Sequence, residues 1–150
     1  MKTKASIMGH PVHMGLAHFP VAFLIGAFAF DAVAKALGMG ELAAVAAYLL
    51  RVGVASGVVA AVPGILDFVT SVPPPARGSA TRHLVVSVLA LLTFIAAWFT
   101  RRGIAGEVEA PTLVLEALGA LLIGVSGFLG GSLVLKDWIG VHVHSDMMPR

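Results

Sequence analysis

The segment "GHPVHMGLAHFPVAFLIGAFAFDAVAKAL", residues 9–37, joins a cluster of three histidines to a long apolar run. Its apolar part, Leu16–Leu37, is close to the roughly 20 residues that cross the hydrocarbon core of a bilayer as an α-helix. Three further apolar segments follow at 42–69, 83–100 and 112–135, and none shows the alternation of a barrel strand. The sequence therefore predicts an all-α fold, a four-helix transmembrane bundle forming a single membrane domain over residues 1–150.

The composition agrees with a membrane location. Hydrophobic residues make up 58% of the 150 residues and charged residues only 12%, with a mean hydropathy of +0.94, whereas a soluble domain carries about 25% charge. The net charge of +2 comes from scattered basic residues, which argues against a nucleic-acid partner. Because the chain has no cysteine, disulfides, thiolate metal sites and protein-bound iron–sulfur clusters are excluded.

Four crossings return both termini to one side of the membrane, called side A here, and side B is the opposite one. All histidines then fall at side A, before or within the start of the first helix, at the start of the third, and after the fourth. They are His10, His13, His18, His83, His142 and His144. Asp67, near the end of the second helix, joins them. Separate segments thus bring imidazoles to one membrane face, where polar ligands stay partly hydrated.

A histidine pair from two helices at similar depth is the arrangement that holds haem iron, and neutral imidazole is also the commonest ligand of other transition metals. His18 and His83 each open an apolar helix at side A. We therefore expect these two to bind haem b, or otherwise a transition metal ion. Asp67, His13 and His10 complete the candidate cofactor site, and Asp67 or His13 would orient the ligands.

Each of the other histidines also has a purely structural interpretation. His10 and His13 flank Pro11 and are equally suited to capping the first helix or binding backbone groups. His142 and His144 precede a polar tail and are expected to be solvated. The order of serine, histidine and aspartate found in hydrolases is not apparent, so we assign no catalytic residue.

A second polar set is predicted toward side B. Asp31 lies late in the first helix, Arg51 in the first half of the second, and Glu116 early in the fourth. Because each charge alone is expensive in lipid, we interpret the three as a charge-compensated structural network in preference to a proton path. Lys35 stands one turn after Asp31 and is a further candidate partner for it.

Small residues indicate where helices approach each other. Gly53 and Gly57 in the second helix, and Gly127 and Gly131 in the fourth, have the four-residue spacing that allows close packing in membranes. Helix packing is the simpler interpretation of these glycines, and room for a planar cofactor is the more specific one.

The motifs resemble those of a known family. "GHPVHMGLAHFPVAFLIGAFAFD" is similar to the HPxHxxxxHFP…D opening of the bacterial integral-membrane family called domain of unknown function 2231. "GILDF" with Asp67, His83, and "GFLGGSLV" resemble its later motifs. Some members are joined to Rieske-type iron–sulfur domains, so the resemblance implies a redox setting. The chain departs from the family after the fourth helix, where "LKDW" stands in place of a Tyr-x-His-Gly segment and His142 or His144 would have to replace that histidine.

Together these features predict a membrane haem-binding electron-transfer protein, with a redox partner such as a Rieske-type protein or a quinone. We expect an electron-transfer or binding protein more than a stand-alone enzyme. Two alternatives stay open: a small transporter or channel for protons, ions or metals, and a structural subunit of a larger complex or homo-oligomer. Six lysines or arginines flank the spans at side A and three at side B, which predicts that both termini are cytoplasmic in a bacterial inner membrane.

Overall fold

Four long helices make up most of the computed structural model, which describes residues 4–8, 10–101, 103–104 and 107–140. The helices are α1 (Val12–Leu37), α2 (Gly40–Ser71), α3 (Arg77–Thr100) and α4 (Ala110–Leu135). Before α1 the short strands β1 (Ser6–Ile7) and β2 (His10–Pro11) pair antiparallel, and a 3-10 turn (Pro74–Ala76) leads into α3. All four helical segments are long and apolar enough to cross a membrane. The predicted all-α, four-helix fold is confirmed.

All four helices begin earlier than the apolar segments predict, two of them by a full turn or more. α1 begins at Val12 instead of Leu16, because Pro11 has the extended conformation of an N-cap residue and leads straight into the helix. α3 begins at Arg77 instead of His83, because the 3-10 turn leads directly into a polar first turn that needs no apolar surroundings. Both His13 and His83 therefore lie inside helices, and the direction of each side chain is set by helical phase.

α1 and α2 form a tight hairpin because Gly38 ends α1. Gly38 has φ +69°, a left-handed conformation that glycine adopts without steric cost, and its N–H donates to the carbonyl of Ala34. α2 begins only two residues later, at Gly40. The helices of this hairpin consequently run antiparallel side by side.

Large apolar side chains of one helix pack onto glycines of the next. A Cβ atom at Gly53 would lie 2.6 Å from Cδ2 of Leu24, and one at Gly119 would lie 2.5 Å from Cε2 of Phe94. Leu24 and Phe94 are almost fully buried for this reason. Together with three other apolar residues they form the central core, which consists of Leu24, Ala27, Leu50, Val54 and Phe94.

The hairpins α1–α2 and α3–α4 are built alike. A residue of α1 corresponds to the one 70 positions later at α3, and a residue of α2 to the one 66 positions later in α4. The matched pairs are His13 with His83, Leu24 with Phe94, Asp31 with Arg101, Gly53 with Gly119, Ala60 with Ser126, and Gly64 with Gly130. The two hairpins are therefore an internal repeat, and two of the matched pairs, His13–His83 and Asp31–Arg101, meet each other between the copies.

Of the two glycine pairs identified in the sequence, only one lies where helices pack closely. Gly53 and Gly57 of α2 do face neighbouring side chains, from Leu24 and Leu91 respectively. Gly127 and Gly131 of α4 instead have open space where a Cβ would be. The glycines of α4 that pack closely are Gly119 and Gly130, because helical phase turns those two toward α3.

Candidate functional site

His13 of α1 and His83 of α3 face each other near side A. Their ring centroids are 6.5 Å apart and their ring planes are inclined by 72°. Both side chains are half-buried, in contrast to the exposed His10 and His18. The internal repeat explains the encounter, because equivalent positions of two hairpins meet where the hairpins adjoin.

Each ring is held by a backbone carbonyl of the other helix in its own hairpin. His13 Nδ1–H donates to the carbonyl of Ala60 in α2 at 2.8 Å, and His83 Nδ1–H donates to the carbonyl of Ser126 in α4 at 3.0 Å. A carbonyl only accepts, so Nδ1 carries the proton and Nε2 of the neutral imidazole carries a lone pair. Neither Nε2 has a hydrogen-bond partner within the described part of the chain. Both rings therefore present a nitrogen that is able to bind a metal.

A glycine makes room for each ring. Gly64 follows Ala60 by one helical turn, and a Cβ there would lie 2.7 Å from Nδ1 of His13. Gly130 follows Ser126 by one turn, and a Cβ there would lie 3.0 Å from Cε1 of His83. Both glycines stand in motifs that the sequence shares with the family, GILDF and GFLGGSLV, but neither was assigned a role from the sequence.

Two hydroxyl groups strengthen the support of His83. Ser87 Oγ–H donates to the carbonyl of His83 at 2.7 Å, and the Oγ atoms of Ser87 and Ser126 are 2.7 Å apart. Since the Ser87 proton is used by that carbonyl, Ser126 donates to Ser87 and keeps lone pairs toward Nδ1 of His83, 3.3 Å away. The ring of His83 is thus oriented by both the backbone and the side chain of Ser126.

His18 lies elsewhere on α1. Five residues at about 100° each place it roughly 140° around the helix from His13, so the two cannot face the same neighbour. Its side chain is exposed, and its Nδ1 lies 3.4 Å from the carbonyl of Gly15. The structure therefore places His13, and not the His18 that the sequence interpretation selected, opposite His83.

Asp67 holds the N-terminal segment over side A. It is buried, and its Oδ1 accepts the backbone N–H of Ala5 at 2.9 Å, while Ser71 Oγ accepts the N–H of Lys4 at 3.0 Å. This carboxylate is therefore bound to the backbone, and it forms no hydrogen bond with a histidine of the described residues. His10 is exposed in β2. His142 and His144 lie outside the described residues.

The charge network predicted at side B contains a different cation. Arg101, just after α3, forms an ion pair with Asp31 of α1, and Glu116 of α4 lies beside both. Arg51 is half-buried in α2 and forms no ion pair within the described part of the chain. The reason is helical phase, because Leu50 of α2 occupies the core position that matches Glu116 and Arg51 points about 100° away from it. Lys35 donates instead to the carbonyl of Val108 at 2.8 Å.

The histidine pair fits haem iron better than a bare metal ion. No group of three or more metal-binding side chains exists among the residues that the structure describes, and zinc takes three or four protein ligands. Haem supplies four nitrogens and needs only two axial ligands. Two imidazoles that bind one metal ion through Nε2 would have their centroids at most about 6.4 Å apart, from bonds of about 2.1 Å, and the observed separation is 6.5 Å.

The helices contact each other more closely within each hairpin than between the hairpins. The two rings are anchored within different hairpins, whereas Leu24 of α1, Leu50 of α2 and Phe94 of α3 form a core that both hairpins share.

Comparison with known proteins gives one match. The sequence model of a family described as "Predicted membrane protein (DUF2231)" matches residues 9–143, which include all four helices and both histidines of the pair. No curated protein and no solved structure matches the chain. The description of the family states a membrane location and no activity, so the function has to be argued from the geometry.

Proposed function

The chain belongs to the DUF2231 family of predicted membrane proteins, and we propose that it is a b-type haem protein that transfers electrons at the membrane, with His13 and His83 as the two axial ligands. The observation that carries this proposal is the meeting of two imidazoles from separate hairpins, 6.5 Å apart, each with Nδ1 bound to a carbonyl. His83 and His13 both belong to the cofactor site expected from the sequence.

The residues around His13 and His83 hold each ring in a tautomer and position that suit metal binding. The Ala60 and Ser126 carbonyls select the tautomer with a free Nε2 and orient each imidazole. Gly64 and Gly130 let each ring approach closely the helix that holds it. Because the rings are anchored within different hairpins, the separation between them depends on how the hairpins pack.

A haem with two histidine ligands supplies one-electron redox chemistry and has no open position for a substrate. His13 lies in the first turn of α1 and His83 in the second turn of α3, toward side A, which favours electron exchange with a partner at that face. In this proposal the partner is a Rieske-type protein or a quinone, and side A is the cytoplasmic face of a bacterial inner membrane.

The transporter alternative finds less support in the packing. Between the histidine pair and the Asp31 cluster the buried interior is apolar, and its largest members are Leu24, Leu50 and Phe94. A path for ions through the bundle would need polar groups at that level. The alternative of a structural subunit makes no use of the two anchored rings.

The test is the absorption spectrum of the full chain, purified in detergent after expression with added haem. We expect a Soret band, with α and β bands on reduction, in the wild type. His13→Ala and His83→Ala should each abolish these bands, and added imidazole should partly restore them, because a lost ligand can be replaced whereas a collapsed fold cannot.

His18→Ala is the matched control, since it removes the same side chain from the same helix at an exposed position. It should leave the spectrum unchanged. Circular dichroism of every variant checks that the helices are intact. A folded, haem-supplied wild type without a Soret band would contradict the proposal, and so would a loss of haem in His18→Ala but not in His13→Ala.

A further inference from the structure

A buried group of three charged residues lies about 27 Å from the histidine pair, because Asp31 follows His13 by 18 residues along α1 at about 1.5 Å each. Asp31 and Glu116 are both fully buried. Both terminal nitrogens of Arg101 bind the Asp31 carboxylate. Nη1 contacts Oδ2, and Nη2 lies 3.1 Å from Oδ1. Nη2 also donates to the carbonyl of Ala43. The terminal nitrogens of Arg101 are thus already engaged.

Both carboxyl oxygens of Glu116 and the Nε atom of Arg101 are the parts of this group that lack a hydrogen-bond partner among the described residues. Neither Oε1 nor Oε2 accepts a hydrogen bond from any residue that the structure describes. The carboxyl groups of Asp31 and Glu116 therefore both lie beside the guanidinium of Arg101. That guanidinium forms a bidentate contact with Asp31 only.

Among the residues that the structure describes, the neighbouring elements bring no second cation to Glu116. On α1, Lys35 is committed to the carbonyl of Val108. On α2, the backbone carbonyl of Ala43 is turned toward Arg101, and Arg51 forms no ion pair within the described residues. Asp31 and Arg101 are the charged groups that act on Glu116. An ionised Glu116 would be an uncompensated charge in a water-poor interior, which costs several kcal/mol, whereas a neutral carboxylic acid avoids this cost.

We propose that Glu116 is a proton-binding site, a carboxylic acid that donates its proton toward the Asp31 carboxylate and exchanges it with water at side B. The proton is taken up by a carboxylate oxygen of Glu116 from hydronium, which leaves water, and the reverse step releases it. When Glu116 is protonated, the charges of Arg101 and Asp31 balance each other.

A cavity of about 490 Å³ lies at side B near the buried group, and its lining includes Ala34, Lys35, Ala43 and Glu107. Ala43 is the residue whose carbonyl binds Arg101, and Ala34 follows Asp31 by about one turn of α1. The three charged residues themselves do not line the cavity, but it reaches their immediate neighbours, and Lys35 and Glu107 in its lining are exposed. In this proposal the proton exchanges with water on this side.

The test is infrared spectroscopy of the full chain in lipid at neutral pH, in water and after transfer to deuterated buffer. A protonated carboxyl group has a carbonyl-stretch band that is separate from carboxylate bands and shifts when its proton is replaced by deuterium. We expect one such band in the wild type, a deuterium shift after transfer, and its loss in Glu116→Gln. Glu41→Gln, at an exposed glutamate at the start of α2, should retain it.

Asp31→Asn tests the assignment of the band independently, so the test does not depend on whether Glu116→Gln folds. Removing the Asp31 charge leaves Glu116 as the only carboxyl group beside Arg101, so Glu116 should ionise and the band should disappear. An unchanged band in Glu116→Gln or Asp31→Asn would overturn the assignment to Glu116. A band that does not shift in deuterated buffer would overturn exchange with side B. None of these readouts depends on haem.

Discussion

Gly64→Ala should push His13 away from α2, because the added methyl group would occupy the space of the imidazole ring. A Cβ at this position would lie 2.7 Å from Nδ1 and 2.8 Å from Cε1 of His13, whereas ordinary contact begins at 3.4 Å. The ring must therefore withdraw by about 0.7 Å. That shift stretches its 2.8 Å hydrogen bond to the Ala60 carbonyl to about 3.5 Å, where such a bond is effectively lost.

The expected loss of stability follows from three contributions. Overpacking costs about 1–3 kcal/mol and the lost hydrogen bond about 0.5–1.5 kcal/mol. Replacing glycine by alanine inside a helix returns about 1 kcal/mol. The variant should therefore be less stable than the wild type by about 0.5–3.5 kcal/mol, and it should also bind less haem, because His13 loses its orientation.

Two other glycines serve as controls at which an added methyl group would overlap less with its neighbours. A Cβ at Gly130 would approach His83 no closer than 3.0 Å, and one at Gly131 would meet nothing within 4 Å. Denaturant titration in detergent, followed by circular dichroism, should rank Gly64→Ala as the least stable, then Gly130→Ala, with Gly131→Ala unchanged or slightly stabilised. Equal stability and equal haem content in Gly64→Ala and Gly131→Ala would refute the steric reasoning.

Further substitutions test the supports at the two ends of the bundle. Arg101→Gln should lower stability in the same titration by about 3–5 kcal/mol, because Asp31 is left buried and charged, and adding Asp31→Asn should recover much of the loss. Arg51→Gln should have little effect, and the reverse order of the two arginines would contradict the observed pairing. Asp67→Ala should speed hydrogen exchange at the Ala5 amide, which donates to the Asp67 carboxylate, and unchanged exchange would show that this bond does not hold the segment.

The number and type of the helices could be predicted because both depend on the length of apolar runs, which is a property of the chain alone. The helix starts were less accessible. Pro11 and the turn at Pro74–Ala76 begin helices within polar sequence, which hydropathy does not register.

The partner of His83 could not be selected by depth in the membrane. His13 and His18 lie near the same end of α1, but they differ by about 140° in helical phase, and only the packing of α1 on α2 decides which one points inward. Depth in the membrane likewise could not identify the cation that pairs with Asp31. Arg101 follows the end of α3, where hydropathy indicates a loop, whereas Arg51 lies within a span but faces away from the group.

The internal repeat was the unused signal. The offsets of 70 and 66 residues, which the matching contacts of the two hairpins give, align His13 with His83 and Gly64 with Gly130. A histidine matched by a histidine between two similar hairpins is expected to meet its counterpart. This relation favours His13 over His18, which has Val88 as its counterpart.

Electron paramagnetic resonance of the oxidised, haem-loaded protein tests the ligand assignment most directly. Two imidazole ligands give a low-spin ferric signal, and crossed ring planes, such as the 72° between His13 and His83, make it strongly anisotropic. Ligation by His13 and His83 predicts this signal in the wild type and in His18→Ala, with one haem per chain. A high-spin signal in the wild type, or a low-spin signal that survives in His13→Ala without added imidazole, would contradict it.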